Sequence, residues 1–441
     1  MGVHRANWSP GLTGKRGCPT CLPPALTLLY PTCSGDNLRE LCAPVIGDML
    51  MSSRHYEAIV VGAGPAGATV AYELAAAGMH TLLIEKAKLP RYKTCGGGIT
   101  YKAVRALPFS IMPVTERVLH SVDFSWRTRA SYVIGSDAPL VYMVQRSRFD
   151  NYLTEQAVRV GTRLLDDTNV ISVDADERRP TVRTSRGAFT ADYVIGADGA
   201  TGRVARSVGL MSDRWALAAL ESEVEVDDAT MARWHDRLGL DLGFLPATYG
   251  WVFPKGGHLS VGVGGLPLIA DYGSRLKQYD AMHTAARVPG GGIRRVIRSH
   301  GYLLPCRRPG AAVQKGRVLL VGDAAGLVEA FTGEGIYWAI RSSQIAAKSI
   351  LDGGPDLDYQ QRLDAELMPD LLSARRWLRV YVWLPRACYS LPGRLPFFWQ
   401  AVCRIIRGER RYTDIRRRLG LFGFVENLLP DPVAASRLAA R

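Results

Sequence analysis

The apolar positions of the chain change period several times, and each change predicts an element. Ala58–Val61 is an uninterrupted apolar run that fits a strand buried on both faces, and it leads into Gly62-Ala63-Gly64-Pro65-Ala66-Gly67. Ala71, Leu74 and Ala75 recur at helical spacing, Gly78 marks a stop, and Thr81–Ile84 makes a second strand ending at Glu85. "TADYVIGADGATGRVAR" (190–206) reads as a strand ending at Ala197-Asp198-Gly199 and the start of a helix. "GRVLLVGDAAGLVEAFTGEGIYWAIRSSQIAA" (316–347) reads as a strand, then Gly322-Asp323, then Gly333 and Gly335 opening a long helix at Ile336. Alternating stretches such as "ASYVIGSDAPLVYMV" and "HLSVGVGGLPL" fit an antiparallel sheet. From about residue 356 the chain reads helical, with Pro385, Pro392 and Pro396 breaking any single long helix.

These periods predict an α/β protein. Residues 51–100, 142–210 and 301–350 are expected to form a discontinuous, Rossmann-like nucleotide-binding domain. Residues 101–141 and 211–300 form a substrate-binding sheet, and 351–441 a basic helical region. The first 50 residues carry Pro, Cys and Gly without periodicity, and the domain proper is expected to begin near Met49 or Met51, after a disordered or mis-assigned leader. Cys18-Pro-Thr-Cys21 within it has no second CxxC or HxxxH to complete four ligands, so no metal site is expected.

The glycine spacing carries the first chemistry. Gly62 allows a tight turn, Gly64 lets backbone N–H groups approach a pyrophosphate, and Gly67 lets helix and strand pack closely; Pro65 and Ala66 begin the helix. The helix N-terminus favours phosphate charge, and Glu85 at the end of the second strand suits ribose hydroxyls. Strand, helix, second strand and acid at the expected distance together point to a dinucleotide. Glu85 disfavours a 2′-phosphate, leaving NAD and FAD. The later strand ends at Asp198 and Asp323, both returning to one sheet, favour FAD, with Asp323 near the ribityl or pyrophosphate region and Gly333 and Gly335 beneath the ring.

The triple signature GxGxxG…E, DG and GD resembles the superfamily of aromatic hydroxylases, halogenases and geranylgeranyl reductases. "KLPRYKTCGGGIT" (88–100) and "YGWVFPKGGHLSVGVG" (249–264) resemble the geranylgeranyl reductase family in particular. The resemblance implies a glutathione-reductase or aromatic-hydroxylase type of FAD domain, with Lys86, Cys95, Gly96, Gly97, Gly322 and Ile336 at the cofactor. Cys95 would hold an active-site role as proton donor or in shaping the pocket; a small buried apolar cysteine is the plain alternative. Tyr249, Trp251 and Phe253 alternate on one strand face, either as ordinary core or, as the resemblance implies, as the wall of a prenyl site. "YMVQRSRFDNYLTEQA" (142–157) resembles the segment that gives an arginine to FAD: Arg146, with Arg148 as the alternative. Arg91 and Lys93 suit a phosphate or a solvated turn. One departure stands out: in "GLVEAFTGEG" Ala330 occupies a place where the family usually has proline.

The implied reaction is hydride transfer from reduced FAD to isolated C=C bonds of a geranylgeranyl or related polyprenyl chain on a lipid, quinone or chlorophyll-type pigment. An FAD-dependent monooxygenase or halogenase on the same scaffold is the alternative. No second GxGxxG follows a strand, so electrons are expected from transient NAD(P)H or from a small redox partner such as ferredoxin.

Charge adds one element. The net +14 is concentrated late: twelve arginines between Arg375 and Arg418 face only Glu409 and Asp414. Trp377, Trp383, Phe397, Phe398 and Trp399 interleave with them, which suits a helix lying on an anionic membrane surface. The alternative is a helical cap with solvated arginines. No recognised nucleic-acid module accompanies the charge. No run approaches the ~18 apolar residues of a membrane span. The expectation is a cytoplasmic, peripherally membrane-associated enzyme.

Overall fold

The structure, a computed structural model, describes residues 54–175, 179–210, 214–288, 291–353, 357–414 and 429–432. The expectations for the leader, including Cys18 and Cys21, lie outside these residues. The described residues belong to one compact unit, Arg54–Arg441.

Five parallel strands form the heart of the first sheet, in the spatial order Val318–Leu320, Gly187–Gly196, His55–Val61, Thr81–Ile84 and Arg163–Leu165. Their side chains are apolar on both faces because helices cover the sheet. Ile59, Val60, Leu82, Leu83, Val194, Ile195, Val318 and Leu319 are fully buried. The register aligns the carboxyl ends: Val61 pairs with Gly196 and with Ile84, and Gly196 with Leu320. Helices Pro65–Ala76 and Ile336–Asp352 pack together, the Ser343 hydroxyl donating to the Ala66 carbonyl at 2.8 Å.

The second sheet has seven strands in the order Ile293–Arg307, Arg214–Val226, Leu259–Gly265, Thr248–Pro254, Arg237–Leu242, Ser121–Trp126 and Ala130–Gly135. All neighbours are antiparallel except Arg237–Leu242 with Ser121–Trp126. Strand Ile293–Arg307 runs through the domain boundary expected at residue 301. Its long pairing with Arg214–Val226 keeps residues 301–307 in this sheet rather than in the nucleotide-binding one. A small sheet of Gly98–Thr100, Val141–Val144 and Thr115–Leu119 stands apart from both.

Helices Tyr359–Glu366, Met368–Trp383, Pro385–Arg394 and Pro396–Ile406 follow. Pro385 and Pro396 occupy first turns, where the missing N–H costs nothing. Pro392, expected as a breaker, lies inside helix Pro385–Arg394, close enough to its end that the chain turns only after Arg394. Among the described residues no helix is long and apolar enough to cross a membrane.

Candidate active site

Because the strand ends share one level, the segments that leave them open into one crevice: Gly62, Glu85, Asp198 and Asp323 line or border a single cavity of about 1020 Å³. Close packing at its floor requires glycine. Gly62 has φ +104°, and a Cβ on Gly67 would lie 1.8 Å from the Gly62 carbonyl oxygen. The N-terminus of helix Pro65–Ala76 has no side-chain cap and no acidic residue in its first turn, so its amides are open to an anion. The Glu85 carboxylate is fixed at the rim, accepting from the Ala63 amide at 2.8 Å and the Ala87 amide at 3.2 Å.

A chain of alternating charge crosses the crevice. Arg91 lies 3.3 Å from Glu85 and 2.9 Å from Asp150, and Asp150 also holds Arg146 through two contacts of 2.7 and 2.8 Å. Arg146 is buried and within hydrogen-bonding reach of Cys95, whereas Arg148 is exposed and pairs at 3.6 Å with Glu116. Lys93 stands 3.3 Å above the Tyr302 ring, and Tyr302 donates to Asp323 at 3.1 Å. Burial, reinforced by the neighbouring Arg146 and Arg91, lowers the Lys93 ammonium to about 8 despite Asp323.

Beyond this polar end the cavity turns apolar. Val122, Phe124, Leu238, Leu240, Leu242, Tyr249, Trp251 and Phe253 alternate along neighbouring strands and so share one sheet face. The opposite wall comes from the C-terminal helices, through Trp377, Tyr381, Phe398, Trp399, Val402 and Ile405. Trp399 donates to the Gly135 carbonyl at 2.5 Å and meets Phe124 edge-on, while Tyr381 donates to the Thr248 carbonyl at 2.6 Å.

The CGGG segment is the junction of the two ends. A Cβ at Gly96 would meet the Phe253 ring at 2.8 Å, so the backbone there lies directly against the aromatic wall. Its position is held from below: buried Glu221 accepts from the Cys95 amide at 2.9 Å and from the Ser260 hydroxyl at 2.7 Å. Ser260 in turn accepts from the Trp251 indole at 3.3 Å. Lys255, 1% exposed, faces Glu223 at 2.9 Å and Glu221 at 4.0 Å. Despite its own burial, Glu223 is lowered to about 2 by His258 and Lys255.

Among the sequence-predicted residues, Gly62, Gly64, Pro65, Ala66, Glu85, Lys86, Cys95, Gly96, Gly97, Arg146, Asp198, Tyr249, Trp251, Phe253, Asp323, Gly333, Gly335 and Ile336 all line the cavity. Two do not. Gly67 serves only helix–strand packing, and Gly322 packs against Ala66 and Ala339. Asp198 does line the cavity, but one carboxylate oxygen caps the short helix Arg203–Ser207, accepting from the Arg203 and Val204 amides at 2.5 and 3.0 Å. Its other oxygen is buried without a protein partner. Ala330 lines the cavity beside Glu329, a fully buried carboxyl that burial pushes up and that accepts from the Phe331 and Thr332 amides. Those bonds shape the loop in which proline is absent.

Sequence reading missed Glu221, and it missed the Lys102–Glu334 pair, 2.6 Å apart on the cavity wall. The alternation of Leu217, Ala219 and Glu221 was the available signal for the first. The second joins residues too distant in sequence to suggest each other.

The uncapped helix terminus, the glycine floor, the fixed Glu85 and the unpartnered Asp198 oxygen fit FAD. Residues 55–237 match the family profile described as FAD binding domain. Fold and crevice together define an FAD-dependent oxidoreductase.

The relatives narrow the class. The chain is 32% identical over 325 residues to the chloroplastic geranylgeranyl diphosphate reductase of Oryza sativa subsp. japonica, covering 69% of this chain and 68% of that one. It is 30% identical over 341 residues to the menaquinone reductase of Mycobacterium tuberculosis, covering 72% and 80%. A geranylgeranyl bacteriochlorophyll reductase-like protein from Thermoplasma acidophilum has the same fold, with a TM-score of 0.64 at 24% identity over 73% of this chain and 86% of that one. The flavin-dependent brominase Bmp2 shares the fold at a TM-score of 0.67 and 17% identity, over 84% and 99% of the two chains. The chain belongs to the geranylgeranyl reductase family.

Proposed function

We propose that the protein saturates C=C bonds of geranylgeranyl or related polyprenyl chains. The observation that carries this reading is the continuity of the cavity. A polar nucleotide crevice opens without a partition into a channel walled by aromatic and aliphatic side chains. An apolar channel of this kind suits a long prenyl chain, which offers area and no directional bonding.

Reduced FAD, when bound, supplies the hydride to one alkene carbon. The residues of the chain have the other tasks. Gly62, Gly64 and the helix beginning at Pro65 would receive the pyrophosphate, and Glu85 the ribose. Arg91, Lys93 and Arg146 place positive charge beside the crevice. The Cys95–Gly98 backbone, held by Glu221, joins the nucleotide crevice to the channel, and Cys95 or a water would deliver a proton to the second carbon. Tyr249, Trp251 and Phe253 hold the chain and exclude water. Electrons come from NAD(P)H or a reduced ferredoxin-like protein visiting transiently.

The test is anaerobic reduction of the FAD-loaded protein with dithionite in the presence of a geranylgeranyl lipid, followed by mass spectrometry. A gain of about two mass units per bond, the mass of one hydride and one proton, is the expected product. No mass gain, together with turnover that requires oxygen or halide, would assign the scaffold to monooxygenase or halogenase chemistry instead.

A further inference from the structure

We propose that the outer surface of helices Pro385–Arg394 and Pro396–Ile406 docks on an anionic lipid bilayer and that Phe397 marks the port through which a membrane-dissolved chain enters the cavity. This rests on the polyprenyl reading above and deepens it by naming the surface and the point of entry.

Three observations converge on these helices. Their inner side walls the channel through Cys388, Pro392, Phe398, Trp399, Val402 and Ile405. Their outer side exposes Arg386, Arg394, Pro396, Phe397, Gln400 and Arg404. Between Pro385 and Ile406 there is no acidic residue at all, so these two helices carry only positive charge; Glu409, just beyond them, pairs with Arg407 at 2.6 Å. Phe397 belongs to both sides. It lines the cavity and is nevertheless 67% exposed, the most exposed large apolar side chain among the described residues. A phenylalanine in that position stands at an opening, not in a wall.

The physical consequence follows from where a prenyl chain resides. A long isoprenoid partitions into bilayer, and carrying it through water would cost roughly 0.8 kcal/mol for each exposed CH₂. A port pressed against the lipid removes that barrier. Arginines around an apolar wedge give the two signals that peripheral binding needs, apolar insertion and attraction to anionic headgroups. The proline that opens each helix sets the wedge at a corner, where Pro396 and Phe397 project from the first turn.

The experiment uses the full FAD-loaded chain and vesicles of phosphatidylcholine with or without phosphatidylglycerol. Co-sedimentation with the anionic vesicles is expected, with little on the neutral ones. Reversing Arg386, Arg394 and Arg404 together to Glu should weaken it on the order of a hundredfold. The flavin spectrum of that variant, and its turnover of a short, water-soluble prenyl substrate, should be unchanged. An environment-sensitive label at Phe397→Cys should shift to the blue on anionic vesicles, after subtraction of label on the unsubstituted chain. The same label at Met282→Cys, exposed on helix Tyr272–Arg287, should not shift. Equal binding to both vesicle types, undiminished binding by the triple variant, or identical shifts at the two labels would overturn the proposal. The binding and label readouts need no turnover, so they stand or fall separately from the reductase reading.

Discussion

The two ends of the cavity are built on different principles. At the nucleotide end, consecutive residues at strand ends set the geometry, and backbone amides and glycines do the shaping, as at Gly62, Gly67 and the N-terminus of helix Pro65–Ala76. At the apolar end, no short segment defines anything. The wall is assembled from alternate side chains of several strands on one side and from helices more than a hundred residues later on the other. The first end tolerates almost no change of backbone volume, whereas the second is a packed surface whose individual members contribute by area. Perturbations of the two ends should therefore separate cofactor binding from substrate binding.

The largest effect is expected at the nucleotide end. Gly67→Val places side-chain carbons where only 1.8 Å separates a Cβ from the Gly62 carbonyl. Helix and strand must part, and with them the pyrophosphate cradle. Purified G67V should carry no flavin absorbance after incubation with FAD and removal of the unbound cofactor. It should also melt well below the parent. A variant that bound FAD normally would show that the cradle does not depend on this contact.

The matched perturbation at the other end is Trp399→Ala. It removes the indole from between Phe124 and the Gly135 carbonyl and leaves a void in the helical wall. A truncation of this kind costs about 3–5 kcal/mol of stability. FAD stoichiometry should hold because no nucleotide-facing residue moves, while KM for a prenyl substrate should rise. Flavin titration and calorimetry on the same sample check both halves, and loss of FAD along with stability would merge the two ends into one unit.

The same contrast explains what sequence alone disclosed. Gly62, Gly64, Glu85, Asp198 and Asp323 were legible because their chemistry depends on spacing within single supersecondary units. Tyr249, Trp251 and Phe253 were legible from their alternation as one strand face, and the family resemblance implied that this face walls a prenyl site; what closes the cavity across from them was not legible. The opposite wall depends on where the C-terminal helices fold back, and helix periodicity does not specify a destination. The boundary expected at residue 301 missed because the apolar alternation of Tyr302, Leu304 and Cys306 does not reveal which sheet a long strand joins. Glu221 stayed hidden for the reverse reason: with Glu223 and Glu225 following at two-residue spacing, it reads as one of a row of solvent-facing acids until its partners are known.

Lys93 gives a titration that reports on the nucleotide end alone. With its folded value near 8 and an ordinary value near 10.5, the unfolded chain binds more protons between those limits. The stability of the cofactor-free protein should therefore rise with pH across that window, and below pH 8 the cost of burying the charge is fully present. An anionic ligand beside Lys93 reverses the preference by stabilising the ammonium. FAD affinity should then fall by up to about tenfold per pH unit above pH 8, and the slope should vanish in Lys93→Met. A pH-independent Kd in the parent would place Lys93 away from the phosphates.

The smallest effect is also the one that probes the junction. Glu221 ties the Cys95 amide to Ser260, and Ser260 to the Trp251 indole, so one carboxylate sets the cysteine loop against the aromatic wall. Glu221→Gln keeps the volume and one acceptor, but its amide cannot accept from Cys95 and Ser260 at once, and Lys255 loses a countercharge. A lost bond to a charged group is worth about 1.5–3 kcal/mol, of which only the part felt in the transition state slows turnover. We expect kcat to drop by on the order of tenfold, with FAD stoichiometry unchanged and KM for the prenyl substrate within about twofold, because neither end of the cavity loses its own contacts. Glu221→Ala should do worse and raise KM as well, since Trp251 is then released. If E221Q instead lost FAD and kept kcat in the fraction still loaded, the carboxylate would belong to the cofactor end, and the division between cradle and channel would have to be drawn on the far side of Cys95.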